Sequence, residues 1–313
     1  MKIMVMGTGG VGAYYGGLLA QQGNDVTFIA RGAHLQALRT NGLQVKSIHG
    51  DFTVAPAKAT DNPAEVGDVD LILFCVKTYG TDEAVEAIRP IVGPRTAVLS
   101  LQNGVDVVER VGKFVGLEHV IGGATWLSSA VEAPGVIKQV SQFRRVVFGE
   151  LDGTRSERIQ SMYEVLKNTG ITVEVSENIL KILWTKFVFI SAVSSLGSLT
   201  RLPMGDYRFI PETRAMIMAL MREVETVARA QGITLDEDVV QKSLDTMDNV
   251  APHIKASMQL DVEAGRRTEL ESMIGVIGRK GRERNVPTPV ADFIYASLLP
   301  IELKARKEPS LTP

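Results

Sequence analysis

Residues 7–12 read GTGGVG, directly after the apolar run KIMVM and directly before AYYGGLLAQQ. Glycine at these three spacings, between a strand and a helix, leaves a chain few folds. Gly7 permits a tight turn out of the strand. Gly9 lets backbone approach a pyrophosphate, and Gly12 lets the helix pack closely on the sheet. The helix then opens with free N–H groups and the positive end of its dipole, so Thr8, Gly10 and Val11 lie where phosphates would be held. The expectation is a dinucleotide site at the first turn of a doubly wound parallel sheet. The alternative is a glycine turn that holds nothing.

The segments that follow keep the same alternation. DVTFIAR, DVDLILFCVK and TAVLSLQNG read as strands, the last two apolar enough for burial on both faces. AHLQALRTNG, TDEAVEAIRPIV and VDVVERVGKFV read as helices, the second with Thr81 or Asp82 as its cap. From residue 119 several short strands are expected to extend the same sheet, partly as hairpins. A helix over SERIQSMYEVLKNTG and a last strand ITVEVS close the domain. From Asn178 onward the periodicity is helical. The fold class is therefore α/β: a Rossmann-type nucleotide domain over 1–177, then an all-helical domain over 178–313 that carries substrate and catalytic residues. The last ten residues are expected to fray.

With 313 residues and 45% hydrophobic content, the chain has material for two cores. A net charge of −2 gives no basis for nucleic acid or an anionic membrane as partner. The one cysteine, Cys75, sits in an apolar run and reads as a buried thiol. His34, His49, His119 and His253 are scattered, so no metal is expected. The N-terminal apolar run is too short and too interrupted by glycine for a signal peptide. No stretch of 18 uninterrupted apolar residues occurs, and a cytoplasmic location is expected.

The second strand ends FIARG. A site that prefers NAD places an acid there for the ribose hydroxyls. Here Arg31 takes that place with no acid on either side. A guanidinium suits a 2′-phosphate, so NADPH/NADP+ is the expected cofactor; the alternative is a solvated loop arginine.

Three polar residues stand in apolar surroundings. Lys77 ends LILFCVK, Asn103 ends LSLQNG, and Lys186 lies within WTKFVFISAVSS. Lys77 and Asn103 fall at carboxyl ends of strands, where ligands of such sheets collect, though each also suits a plain strand-to-loop position. An unpaired buried ammonium is costly, and a lysine answers by snorkelling or by losing its proton more readily.

Taken in order, GTGGVGAYYGGLLA, CVKTY, LQNGV, LWTKF and SMQLDVEAGRRTELE resemble the ketopantoate reductase family (2-dehydropantoate 2-reductase), over roughly residues 1–300. The resemblance implies hydride transfer from NADPH to the keto carbon of a 2-oxo acid. It implies that Lys186 protonates the carbonyl oxygen, and that Glu269 binds a substrate hydroxyl and orients that lysine. Ser257 and Asn103 would contact substrate, Lys77 would serve the cofactor side, and Asp261 would support the region. A ketone gains negative charge on oxygen as hydride arrives, and a cation able to release a proton suits it. Lys186 would then be tolerated because its helix lines a cleft between the domains. Apolar neighbours lower its pKa and Glu269 raises it; either effect can win.

Ser257 and Asp261 are four apart and share a helix face. Glu269 lies off that face, so a bend near Gly265 is expected to bring the three together. Arg266 and Arg267 read as solvated helix charges. The family carries asparagines four and eight residues beyond the lysine. Here Ile190 and Ser194 stand there, with Ser194 a short donor to substrate, which suits a branched 2-oxo acid with a larger apolar tail. Two other readings are an NADPH-binding redox sensor without turnover and another two-domain hydroxyacid dehydrogenase. Met216, Met218, Leu220 and Met221 form a face that suits a homodimer or the domain's own core.

Overall fold

A computed structural model describes residues 1–307. The chain divides into two units. One comprises Met1–Gln102 and Val107–Ile182; the other comprises Asn103–Asp106 and Leu183–Pro313. Against the expected boundary at 177/178, the division falls a few residues later, and the short segment Asn103–Asp106 goes with the second unit.

In the first unit the strands are β1 (Lys2–Met6), β2 (Asp25–Ile29), β3 (Leu43–Ser47), β4 (Phe52–Val54), β5 (Lys58–Thr60), β6 (Leu71–Phe74), β7 (Ala97–Ser100), β8 (Val120–Trp126), β9 (Ser129–Ala133), β10 (Val136–Gln139), β11 (Arg145–Gly149) and β12 (Thr172–Val175). Its helices are α1 (Gly10–Gln21), α2 (Gly32–Asn41), α3 (Thr81–Ile88), α4 (Val107–Val115) and α5 (Glu157–Lys167). The main sheet runs β12-β11-β8-β7-β6-β1-β2-β5. Every pair in it is parallel except β8 with β11. The order reverses at β1, whose neighbours are β2 and β6, so the turns after Met6 and Phe74 meet at the switch point where such sheets bind ligands.

The expectation that all strands beyond residue 119 extend this sheet needs correction. β8 and β11 do so, but β9 and β10 join β3 and β4 in a second sheet ordered β4-β3-β10-β9. The second sheet lies against α1. That explains why α1 is apolar all round: a helix between two sheets has no solvent face to keep polar. Its glycines make the fit. A Cβ on Gly16 would meet Phe28 at 2.8 Å in the main sheet, and one on Gly17 would meet Phe52 at 2.9 Å in the second. Tyr14 packs on Phe52 from between them.

α3 also differs in detail from expectation. It has no side-chain cap, its N-cap being Gly80. Thr81 is inside the helix, where its hydroxyl oxygen accepts a bond of 2.9 Å from Gln102 Nε2. α5 is capped by Ser156, whose hydroxyl accepts from the Ile159 N–H.

The remaining helices are α6 (Ile179–Thr200), α7 (Met204–Tyr207), α8 (Pro211–Ala230), α9 (Val239–Asn249), α10 (Ser257–Glu263), α11 (Val276–Glu283) and α12 (Pro289–Arg306). A π-helical turn, Glu271–Gly275, leads into α11. The core of the second unit gathers Phe187, Val188 and Leu196 of α6 with Leu220, Met221 and Val224 of α8, and Met216 and Met218 pack against it. The methionine- and leucine-rich face is thereby in use within the unit. α6 is long and apolar enough to cross a membrane by length and composition, with 61% of its most apolar window buried. Lys186 and the serines interrupt its apolar run, so the sequence criterion passes over it. Lys304–Arg306 of the expected loose tail complete α12; the residues beyond 307 lie outside those described.

Candidate active site

The first unit supplies a dinucleotide cradle. Gly7 takes φ +96°, and a Cβ there would strike Val76 N at 2.6 Å. The loop after β1 is thus pressed against the loop after β6, one residue from Lys77. Thr8 is buried, and its hydroxyl donates to the Ile29 carbonyl at 2.8 Å, tying the loop to the end of β2. A Cβ on Gly12 would meet Gly7 O at 2.3 Å, so only hydrogen fits. Gly9 is the contrast, since nothing lies within 4 Å of a Cβ built on it. The one glycine of the motif that faces open space is the one over which a pyrophosphate would pass, and Gly10 and Val11 begin α1 there, in the first turn, whose amides have no partner within the helix. These residues fit a dinucleotide.

Arg31, the N-cap of α2, is largely exposed at the end of β2. Its Nη2 donates to Glu83 Oε1 at 2.7 Å, so the acid absent beside Arg31 in sequence is delivered by the first turn of α3. Lys77 is exposed at the mouth of the β6 loop, where its carbonyl accepts from the Gly80 N–H at 2.8 Å. Gln102 is a residue that sequence reading passed over. Buried after β7, it donates to the Val76 carbonyl at 2.8 Å as well as to Thr81, which fixes the loop that carries Lys77. Its place directly before Asn103 in LQNGV was the available signal.

The second unit brings together Asn103, Lys186 and Glu269. Lys186, in the second turn of α6, donates from Nζ to Asn103 Oδ1 at 3.0 Å. Lys186 retains some exposed surface, yet desolvation of its ammonium pushes its pKa down to about 8, with the nearby Glu269 carboxylate pulling the other way. Desolvation wins the contest that sequence left open. Glu269 is itself only 5% exposed. The segment holding Asn103 is braced by Arg279 of α11, which reaches Asp106 at 3.4 Å and Glu271 at 3.0 Å.

The expected bent helix over 257–271 is instead a terminated one. α10 ends after Glu263, and Gly265 takes φ +64°. Arg266 N–H then bonds the Asp261 carbonyl and Gly265 N–H bonds the Val262 carbonyl, the glycine-capped ending that reverses a chain out of a helix. Glu269 follows on non-helical backbone. Arg266 and Arg267 are accordingly not helix charges. Arg266 pairs with Asp261 at 2.8 Å, and Arg267 lies 4.0 Å from Glu302. Asp261 is nearly buried and serves this turn, while Ser257 is exposed at the start of α10. Ile190 and Ser194 follow Lys186 along α6 at spacings of four, hence on its face. Ile190 is partly exposed and Ser194 is buried. Among the described residues no group of three or more His, Cys, Asp or Glu is placed to hold a metal.

The sequence matches the family models for ketopantoate reductase PanE/ApbA over residues 3–153 and for its C-terminal domain over 178–302. An uncharacterized oxidoreductase of Bacillus subtilis, YkpB, is 32% identical over 298 residues, covering 95% of this chain and 98% of that one. The crystal structure of a PanE/ApbA family ketopantoate reductase from Ralstonia eutropha superposes with a TM-score of 0.90 at 30% identity, covering 98% of this chain and all of the other. A D-mandelate dehydrogenase, solved with NADH and anilino(oxo)acetate, gives a TM-score of 0.90 at 25% identity, covering 98% of this chain and 99% of that one.

Proposed function

Since the chain belongs to the ketopantoate reductase family, we propose that it reduces a branched 2-oxo acid at the expense of NADPH, with Lys186 as the general acid. The coarser part of this reading, an oxidoreductase of 2-oxo acids using a nicotinamide cofactor, goes with the family and its relatives. The observation that carries the finer part is the Lys186–Asn103 contact of 3.0 Å together with an amine pKa brought down to about 8. A general acid works best with a pKa near the working pH, and an ordinary lysine is too weak an acid for that.

The reduced nicotinamide supplies the hydride when bound. The chain does the rest. Asn103 holds the Lys186 amine in place, and the amine presents a proton to the carbonyl oxygen as that oxygen gains charge. Glu269 keeps enough negative charge nearby for Lys186 to remain protonated at neutral pH. Ser257, Ser194 and Asp261 are proposed for the substrate side, and Lys77 for the cofactor side. Arg31 is proposed to bind the 2′-phosphate. Its pair with Glu83 is no obstacle, because both partners are about two-thirds exposed and such pairs are worth only about 0–1 kcal/mol. A guanidinium bond to a phosphate is charge-assisted and stronger.

A second reading concerns the acid's side chain. Ile190 stands one turn beyond Lys186 and offers no hydrogen bond, and a neighbour of the same fold was solved with an anilino-substituted oxo acid. These favour a bulky apolar substituent over a hydroxylated one. A panel of 2-oxo acids, followed by loss of reduced-nicotinamide absorbance with NADPH and with NADH, tests both readings. The proposal expects turnover with NADPH that Lys186→Ala lowers by about 10²–10⁴ in kcat. Cofactor binding without turnover of any 2-oxo acid would support the sensor instead. Highest kcat/KM on 2-dehydropantoate would remove the second reading.

A further inference from the structure

Glu302 of α12 is an acid buried to 1% exposure, and the function above leaves it without a task. Its Oε2 accepts from the Thr268 N–H at 2.8 Å and from the Thr268 hydroxyl at 2.6 Å. Its Oε1 accepts from Arg306 Nε at 2.6 Å, with Arg267 Nε 4.0 Å away. The Thr268 hydroxyl in turn accepts from the Leu270 N–H at 3.2 Å. The carboxylate thus holds Thr268 directly, and the Thr268 hydroxyl holds the Leu270 N–H on the far side of residue 269. Residues 266–269 lie outside any helix, and the Glu269 carbonyl accepts from the Ser272 and Met273 N–H groups where the next helix begins, so the Thr268 side of the residue is held by Glu302. A charge buried this deeply is retained only where its bonds are satisfied; one oxygen is given to the turn at Thr268 and the other to Arg306 of its own helix.

We propose that Glu302 is a positioning residue, which through Thr268 sets where Glu269 stands relative to Lys186. The inference rests on the assignment of Lys186 as the acid only for its consequence in catalysis, not for its geometry. Glu269 is a charged group acting on Lys186, and Arg267 and Arg306 face Glu302. Glu269 opposes the loss of the Lys186 proton. If the turn at Thr268 loosens, Glu269 drifts, and Lys186 gives up its proton at lower pH.

The experiment is an NMR titration of the Lys186 amine in the full chain without cofactor or substrate, beside the pH profile of kcat/KM. Glu302→Ala and Thr268→Val are expected to move the Lys186 titration down by about 0.5 unit or more, and the alkaline limb of kcat/KM with it. Glu302→Gln, which keeps an acceptor oxygen at the same reach, and Thr268→Ser, which keeps the hydroxyl, are expected to stay near the parent. A lower melting temperature with the Lys186 titration unmoved in both Glu302→Ala and Thr268→Val overturns the proposal, since that is what a purely structural role gives. Should Glu302→Ala not fold, Thr268→Val decides alone, because it leaves the Glu302–Arg306 pair in place. Failure of the acid assignment has a separate signature: Lys186→Ala would keep its rate, while the NMR titration would still report on Glu302.

Discussion

An ammonium desolvated by burial, as that of Lys186 is, costs stability that its neutral form does not. The pKa of Lys186 in the folded chain, about 8, lies below the ordinary 10.5. Between those values the unfolded chain binds more protons, so folding stability rises with pH across that window, and the full cost is present below it. Lys186→Met is therefore expected to melt higher than the parent at pH 7, by about 1–3 kcal/mol of stability, with the gap closing toward pH 10. A melting curve at each pH checks this. On the proposed acid role, the same variant is expected to lose about 10²–10⁴ in kcat, which would mark the residue as kept for chemistry against stability. The lysine was legible from its neighbours in sequence. Its Asn103 partner was not, because 83 residues separate the two and no local pattern records a contact of that span.

At the scale of elements, the glycine loop makes opposite predictions for two of its members. Gly9→Ala adds a methyl where nothing stands within 4 Å, so melting should stay close to the parent while dinucleotide affinity falls. Gly12→Ala drives a methyl to 2.3 Å from Gly7 O and should destabilise the first unit outright. Calorimetric titration with NADPH beside melting curves separates the two. The pair of Arg31 with Glu83 adds a third: Arg31→Ala should lose the proposed preference for NADPH, and Glu83→Gln should sharpen it by removing a competitor for the guanidinium. Kinetics with both cofactors in each variant measures it. The central parallel strands could be read in advance because β6 and β7 each bury a continuous run. The second sheet could not. β3 and β10 pair in parallel from positions 44–47 and 136–139, and neither carries a signal for the other. The end of α10 was misread as a bend because a glycine within a helical pattern leaves two outcomes open, and only φ +64° decides for termination.

For the molecule as a whole, the two units divide the labour that one motif list had joined. The first holds the glycine loop, Arg31 and Lys77; the second holds Asn103, Lys186 and Glu269. Asn103, three residues beyond the end of β7, belongs with the second unit, as do the residues through Asp106. On the proposed mechanism a protonated lysine reduces the ketone and a neutral one oxidises the alcohol, so the two directions should depend on pH with opposite sign. Everything turns on whether that amine titrates where its surroundings place it. The most direct measurement is the pH profile of kcat/KM for reduction by the full chain, set beside the NMR titration of Lys186. The account predicts a rate that is level at neutral pH and falls tenfold per unit above about 8, in step with the amine. A rate that stays level past pH 10, or an amine that titrates at the ordinary lysine value, would contradict it.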